Sequence, residues 1–270
     1  MSEPVKLQIR TWNIAHGLDV PPMREGYRHL RRKHLGTMAA LMVEDAPDVI
    51  ALQEVPVWAG PLLHRRTGMG ITLAPAYGAH VPFLHVPLPL AVGAAVGRAL
   101  PNVVRTQVEG QANAVLFGAG LLLVSARRTQ VNDRRRLRGE PRIIQLVRLR
   151  HRREGREFVV GNVHLDSGDN RAQVERAGFL LERFARGAPM ILLGDVNATA
   201  RSAGVRSLVA RGWIEDVADD GLRIDHIFVR GFDVEEPATP WDPRRREIVT
   251  DGQLPIRLSD HAPVDAVVSC

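Results

Sequence analysis

Apolar runs of strand length recur along this chain, and most of them stop at an amide, a carboxylate or an imidazole. Gln8 to Trp12 leads into Asn13, and Val49 to Leu52 leads into Gln53 and Glu54. Phe158 to Gly161 runs into Asn162, His164 and Asp166, and Met190 to Leu193 runs into Gly194, Asp195 and Asn197. Further on, Arg223 to Phe228 carries Asp225 inside the run, and Ser259-Asp260-His261 immediately precedes a last apolar stretch. A strand that stops at the edge of a sheet delivers its final polar side chains into a crevice shared with its neighbours. The pattern therefore points to a sheet-rich fold whose strand ends converge. No internal repeat or long linker interrupts it.

The remaining periodicities fill in the layers. Leu7 to Asn13 alternates as a strand does, and Val49 to Glu54 is a second strand. Between them, Tyr27 to Glu44 places Leu30, Leu35, Met38, Leu41 and Met42 at helical spacing. Runs at Ala112 to Val124, Arg142 to Arg150 and Phe158 to His164 carry β-branched residues and sit close enough to pair antiparallel. Helices are expected over Arg171 to Arg186 and Ser202 to Arg211, and strands over Met190 to Leu193, Arg223 to Val229 and Pro263 to Val268. This mixture predicts an α/β fold of packed sheets flanked by helices. At 270 residues, 45% hydrophobic and 24% charged, the chain is sized for one domain, residues 1–270, with a core that needs no staples.

Cys270 is the only cysteine, which excludes a disulfide framework and a thiolate zinc cluster and fits a reducing, cytoplasmic setting. Met1 to Arg10 lacks the apolar stretch of a secretory signal. Val81 to Leu100 is apolar, but a spanning helix needs about 20 unbroken residues, and Pro82, His85, Pro87, Pro89 and Arg98 interrupt it. A surface loop or short helix beside the site is expected there, without stable membrane insertion, and an interfacial lipid contact is the lesser alternative. A net charge of +6 favours a polyanionic partner such as nucleic acid. Lys6 and Lys33 are the only lysines, however, and a GC-rich coding sequence would produce the same arginine bias. No protein partner is predicted.

Each polar strand end has an ordinary reading beside a chemical one. Gly194, Asp195 and Asn197 suit a turn, Glu54 a solvated strand end, His164 a hydrogen-bonded core histidine, and Ser259-Asp260 a cap. Asp225 resists such treatment, because a carboxylate between apolar neighbours needs a histidine or arginine to offset its desolvation. As a set, these residues suit hydrolysis of a phosphate ester, which needs a neutralising cation, an activated water and protection for the leaving oxygen. Hard oxygen donors such as Glu54, Asp260 and the Asn13 amide suit Mg²⁺ or Mn²⁺. The chain has no His-Glu-x-x-His segment for zinc and no Gly-x-Ser-x-Gly elbow for a serine esterase. Water, with a pKa of about 15.7, needs a base near neutrality, and Asp195 can supply one. His261 paired to Asp225 would be held in one tautomer and partly cationic.

In chain order, Trp12-Asn13, Gln53-Glu54, Asn162-Val163-His164, Gly194-Asp195-Val196-Asn197, Arg223-Ile224-Asp225 and Ser259-Asp260-His261 resemble the motifs of the endonuclease/exonuclease/phosphatase superfamily, the group of deoxyribonuclease I and exonuclease III. The resemblance implies a four-layer fold, a two-sheet β-sandwich flanked by helices. It implies Glu54 as the principal ligand of Mg²⁺ or Mn²⁺, with Asn13 and Asp260 close to the metal. His164 is similar to the residue that contacts a phosphate oxygen or protonates the leaving group. Asp195 is similar to the carboxylate that orients or deprotonates water, Asn197 to the amide that steadies the phosphate, and Asp225 with His261 to the acid–histidine pair. Asn113 and Asn162 match positions expected to bind substrate.

The likeness also has departures. Members often follow an Asn-Ala-apolar-Leu strand with Ser-Arg, whereas Asn113-Ala114-Val115-Leu116 runs into Phe117-Gly118-Ala119-Gly120. An arginine near the phosphate is thus missing or displaced to Arg105 or Arg127. The aromatic and basic wedge of a damage-specific DNA nuclease is not evident. The expectation is a metal-dependent phosphodiesterase or nuclease acting on a phosphoester such as nucleic acid. A phosphatase or lipid-headgroup phosphoesterase, sphingomyelinase-like or acting on inositol phosphates, is the alternative, and a non-catalytic binding module is the third reading.

Overall fold

The computed structural model describes residues 4–17, 19–20, 31–77, 80–81, 86–87, 110–132, 140–215, 222–248 and 256–270. Two six-stranded mixed sheets dominate them, with strands numbered here in chain order. The first sheet runs β14 (Asp233–Pro240), β17 (Val264–Ser269), β1 (Lys6–Asn13), β3 (Val49–Pro56), β7 (Gln111–Phe117), β4 (Gly70–Tyr77). The second runs β12 (Ile214–Glu215), β13 (Asp225–Arg230), β11 (Met190–Asp195), β10 (Glu157–His164), β9 (Ile143–His151), β8 (Leu121–Gln130). Short pairings join β15 (Glu247–Ile248), β16 (Ile256–Leu258) and β2 (Asp19–Val20), and separately β5 (His80–Val81) and β6 (Val86–Pro87). Four α-helices lie among the described residues: α1 (Arg31–Met42), α2 (Gly60–Thr67), α3 (Arg171–Ala185) and α4 (Ala203–Ala210).

Burial sorts these elements into four layers. Leu7, Ile9, Val49, Ala51, Val115 and Val268 of the first sheet share one core cluster with Leu149, Phe158, Val160, Ile191, Leu193 and Val229 of the second. The other face of the second sheet packs Val159, Val163 and Leu192 against Val174, Ala177 and Leu181 of α3 and Val205 and Leu208 of α4. The other face of the first packs Trp12, Ile50 and Leu52 against Leu35, Met38 and Met42 of α1 and Leu62 and Leu63 of α2. The central strands are apolar on both faces because both faces are covered. β1 and β3 run parallel in the middle of one sheet, and β10 and β11 in the middle of the other.

The run expected over Ala112 to Val124 is two strands, because Gly118, Ala119 and Gly120 form the loop and turn between β7 and β8. Of the helix expected over Tyr27 to Glu44, Arg31–Met42 is observed and residues 27–30 lie outside the described set. The stretch Val81 to Leu100 is described only at β5 and β6. No helix among the described residues is long and apolar enough to cross a membrane. Several elements went unanticipated, β4 and the short strands among them, and for two of them the physical reason is plain. β14 is an edge strand whose mostly exposed sequence carries no alternation, and α2 is only eight residues long.

Candidate active site

Strand register assembles the cleft. In the first sheet Asn13, the last residue of β1, stands beside Gln53 of β3. In the second, His164 at the end of β10 is level with Asp195 at the end of β11, and Asp195 is level with Asp225 at the start of β13. Glu54 reaches the same edge through a bulge. Leu52 pairs with Ala114 and Val55 with Ala112, so β3 takes one more step than β7, and Glu54 turns at φ 52°. Asn197 and Ser259 also have left-handed backbone, at φ 52° and 63°. Such conformations cost about 1–3 kcal/mol each for non-glycine residues and persist where surrounding structure enforces them. Gly194, at φ 132°, lies opposite Val163 of β10, and a Cβ there would collide with the Val163 carbonyl oxygen.

The polar atoms converge on Asp195. Its Oδ2 accepts from Asn13 Nδ2 at 3.0 Å and lies 3.7 Å from both His164 Nε2 and His261 Nε2. Its other oxygen accepts the Asn197 N–H at 3.0 Å, while the Asn197 side-chain amide donates to the Leu165 carbonyl. Asn13 Nδ2 also reaches Glu54 Oε1 at 3.2 Å, and Glu54 lies 3.8 Å from His164 and 3.4 Å from His16. His261 Nδ1 bonds Asp225 Oδ2 at 2.8 Å, the partner that a carboxylate in a strand required. The Ser259 hydroxyl locks the last segment in place, donating to the Asn13 carbonyl at 2.6 Å and accepting the His261 N–H. Trp12 Nε1 and Arg246 hold the His261 carbonyl from behind. Asp260 is exposed at the rim.

Burial and charge set the protonation states. Burial raises the Asp195 carboxyl to about 7, with the charge of Asp225 adding to it and His261 and Asn13 opposing. Burial alone would lower His261, but its hydrogen bond to Asp225 and the charges of Asp225, Asp195 and Asp260 outweigh it and bring the ring to about 9. Burial drives His164 well below its ordinary value, helped by the positive charges of Arg142, His261 and His16. His164 is therefore neutral near pH 7 and its 3.7–3.8 Å approaches to Asp195 and Glu54 are not ion pairs. Burial, and then the neighbouring Asp260 charge, raise Glu54. Asp195, Asp225 and His261 bring ligand atoms within 4.8 Å of one another, close enough to share one cation.

Asn113 and Asn162, expected at the substrate, are placed differently. Both are buried. Asn162 donates to the carbonyls of Leu52 and Ala114 and accepts from Gln53 Nε2 at 2.7 Å; Asn113 donates to the Asn162 carbonyl. With Gln53 and Thr11 they form a polar tie between the sheets beneath the cleft, in which the Asn162 amide is taken up by backbone and Gln53. Two residues that sequence reasoning passed over stand in the cleft. Arg142 places Nη1 3.2 Å from the His164 ring and bonds Asp166 at 2.8 Å, and His16 faces Glu54. Arg142 was hidden within an arginine-rich stretch, and His16 lies outside the apolar runs whose polar ends carried the reading. Arg127, one candidate for the displaced arginine, lies away from the cleft beside the end of α3, and Arg105 falls outside the described residues.

Two mixed sheets packed face to face, helices outside, and an acid–histidine cleft at the strand ends define a deoxyribonuclease I-like sandwich. The chain belongs to the endonuclease/exonuclease/phosphatase family, whose model matches residues 11–261. That name covers nucleases and phosphatases, hydrolases that act on phosphoesters. The chain is similar in fold to an endonuclease/exonuclease/phosphatase family protein from Bacteroides thetaiotaomicron, with 14% identity, 99% of each chain covered and a TM-score of 0.73. It is also similar to a mannosyl-6-phosphatase of that organism, with 16% identity, 97% of this chain and 99% of the other covered, and a TM-score of 0.71. The human nocturnin catalytic domain, solved with a bound sulfate, shares 19% identity over 99% of this chain and 97% of its own, with a TM-score of 0.69. No curated protein matches the sequence.

Proposed function

We propose that this protein, acting as one catalytic unit over residues 1–270, is a divalent-metal-dependent phosphodiesterase that hydrolyses nucleic acid. The observation that carries the reading is the convergence of Asn13, His164 and His261 on one oxygen of a carboxylate held near neutrality, Asp195.

The donor set fits a hard cation. Glu54, Asp195, Asp225 and Asp260 supply four carboxylates, while His261 is the imidazolium and Arg142 is already paired with Asp166. That excess of negative charge is what a divalent ion offsets before an anionic substrate can enter. Glu54, Asp260 and the side-chain amide oxygen of Asn13 would hold Mg²⁺ or Mn²⁺. The cluster of Asp195, Asp225 and His261 is the poorer ligand set, because His261 keeps its proton to about 9 and donates it to Asp225. A bound divalent ion would neutralise a phosphoryl oxygen and withdraw electron density from phosphorus.

The chain's own groups then divide the remaining work. Asp195 Oδ2 accepts the proton of the attacking water, being more basic than an ordinary carboxylate yet largely ionised above pH 7. The Asn197 N–H fixes its other oxygen so that Oδ2 points into the cleft. Cationic His261, held by Asp225, stabilises charge building on the phosphoryl oxygens. Neutral His164 donates one hydrogen bond there, and Arg142, paired with Asp166, braces its ring from behind. Asn113 and Asn162 set the strand ends from beneath.

A panel of plasmid DNA, RNA, sphingomyelin, p-nitrophenyl phosphate and its bis ester, each with Mg²⁺, Mn²⁺ or EDTA, tests this reading. Metal-dependent cleavage of polynucleotide is expected, with Asp195→Asn and Glu54→Gln each slower by at least about 10²-fold. Undiminished turnover in EDTA overturns the metal. Preference for the monoester or for sphingomyelin moves the substrate to a phosphatase or headgroup phosphoesterase of the same family.

A further inference from the structure

Beside the C-terminal end of α3, on the helix-covered face of the second sheet, lies a cavity of about 720 Å³ lined by Arg127, Arg148, Arg183 and Arg186, with Glu157 as its one carboxylate. Glu157 is already bound by Arg148 and Arg150. Arg148 also takes the last helix carbonyls, those of Phe184 and Ala185, so the negative end of the helix is capped. Arg127, Arg183 and Arg186 are exposed and make no ion pair or side-chain hydrogen bond among the described residues. Three like charges around one cavity repel each other unless an anion joins them.

Two features of the chain point the same way. Arg186 occupies the left-handed position that ends α3, at φ 53°, where glycine is the residue of least strain, yet its side chain lines the cavity. Along β8, Ser125, Arg127 and Thr129 alternate onto this face. They lead towards Gln130, which pairs with Ile143 next to Arg142 of the cleft. A basic and hydroxylic strip thus runs from the cavity to the catalytic edge.

We propose that this cavity is a second anion-binding site that holds the sugar–phosphate backbone of a nucleic acid whose scissile phosphate lies in the cleft. The proposal rests on the reading of that cleft as a phosphodiesterase. The cleft lies at the opposite end of α3, whose 15 residues at about 1.5 Å each span roughly 22 Å. At about 3.4 Å per nucleotide, a strand needs roughly seven nucleotides to reach both. Dinucleotides engage the cleft alone.

The test compares R127E/R183E/R186E with a charge-matched control, R65E/R66E/R244E, whose exposed arginines lie elsewhere on the fold. Binding of fluorescein-labelled 20-mer DNA and RNA is read by anisotropy in EDTA across salt concentrations, with phosphatidylserine vesicles as a third arm. The cavity variant is expected to bind at least one polynucleotide about 10-fold more weakly, with a salt slope shallower by about 0.7 for each phosphate it no longer neutralises, while the control stays near wild type. Its kcat/KM on bis-p-nitrophenyl phosphate stays unchanged, and KM rises for 20-mers but not for dinucleotides. Equal affinity in the cavity variant, an equal fall in the control, or an effect confined to vesicles overturns the proposal. Failure of wild type to hydrolyse the bis ester with either metal strikes the cleft reading instead, because the binding measurement needs no turnover.

Discussion

The 2.8 Å contact between Asp225 and His261 holds an imidazole cationic through neutrality, against the pull of burial. Its folded pKa of about 9 lies above the unfolded value of about 6.5. The stabilisation from this pair is therefore fully present below about pH 6.5 and is lost as pH rises through about 9. NMR titration of the metal-free protein should show the His261 ring retaining its proton to that range. Activity on bis-p-nitrophenyl phosphate should peak between the ionisation of Asp195 near 7 and the deprotonation of His261 near 9. Asp225→Asn removes the charge that raises both groups, so both limbs of the profile should move to lower pH, by about one unit or more. Limbs that stay in place would assign them to other groups. At this scale the need of Asp225 for a cationic partner was legible, because a carboxylate in an apolar strand has few solutions. Arg142 and His16 were not, since nothing in their neighbours distinguishes them from surface arginine and turn histidine.

Elements bring constraints of their own. Where β11 lies beside Val163 of β10, Gly194→Ala sets a methyl group against backbone that cannot move aside, and a loss of about 2 kcal/mol or more is expected in a urea melt. Activity should fall with it, because Asp195 is the next residue. Arg186→Gly should do the opposite to stability. Relieving a left-handed arginine at the end of α3 is expected to stabilise by about 1 kcal/mol while weakening polynucleotide binding, measurable as a higher Tm with a poorer Kd. Arg10 ties α1 to the first sheet, bonding Asp265 at 2.6 Å and the carbonyls of Leu41, Met42 and Glu44 from a fully buried position. Arg10→Met should therefore destabilise by about 3 kcal/mol, because Asp265 is left without its partner. Strands with apolar alternation were visible in the sequence to within a few residues, as were α3 and α4. β14 was not, because an exposed edge strand is selected for pairing and not for burial.

Across the whole molecule, one core serves both sheets. Phe158 from the second packs edge-on to Phe232 at 6.0 Å within the cluster shared with Leu7 and Ile9 of the first. Phe158→Ala should cost about 3–5 kcal/mol and lower the urea midpoint for both sheets together. Separate transitions by fluorescence and circular dichroism would show that they unfold independently. By itself the sequence determined where most of the central strands lie, that packed sheets flanked by helices would form, and that several of those strands would end in a group able to bind a cation, move a proton or meet a phosphate. Those are local properties, written in periodicity and in residue type. Only the tertiary structure decided which of those groups meet and in what charge state. Strand register set Asp195 level with Asp225 and His164, a bulge turned Glu54 into the cleft, burial left His164 neutral, and Asp225 kept His261 cationic against it. Electrostatic energies depend on distance and solvent access, and both come into being only when distant segments pack.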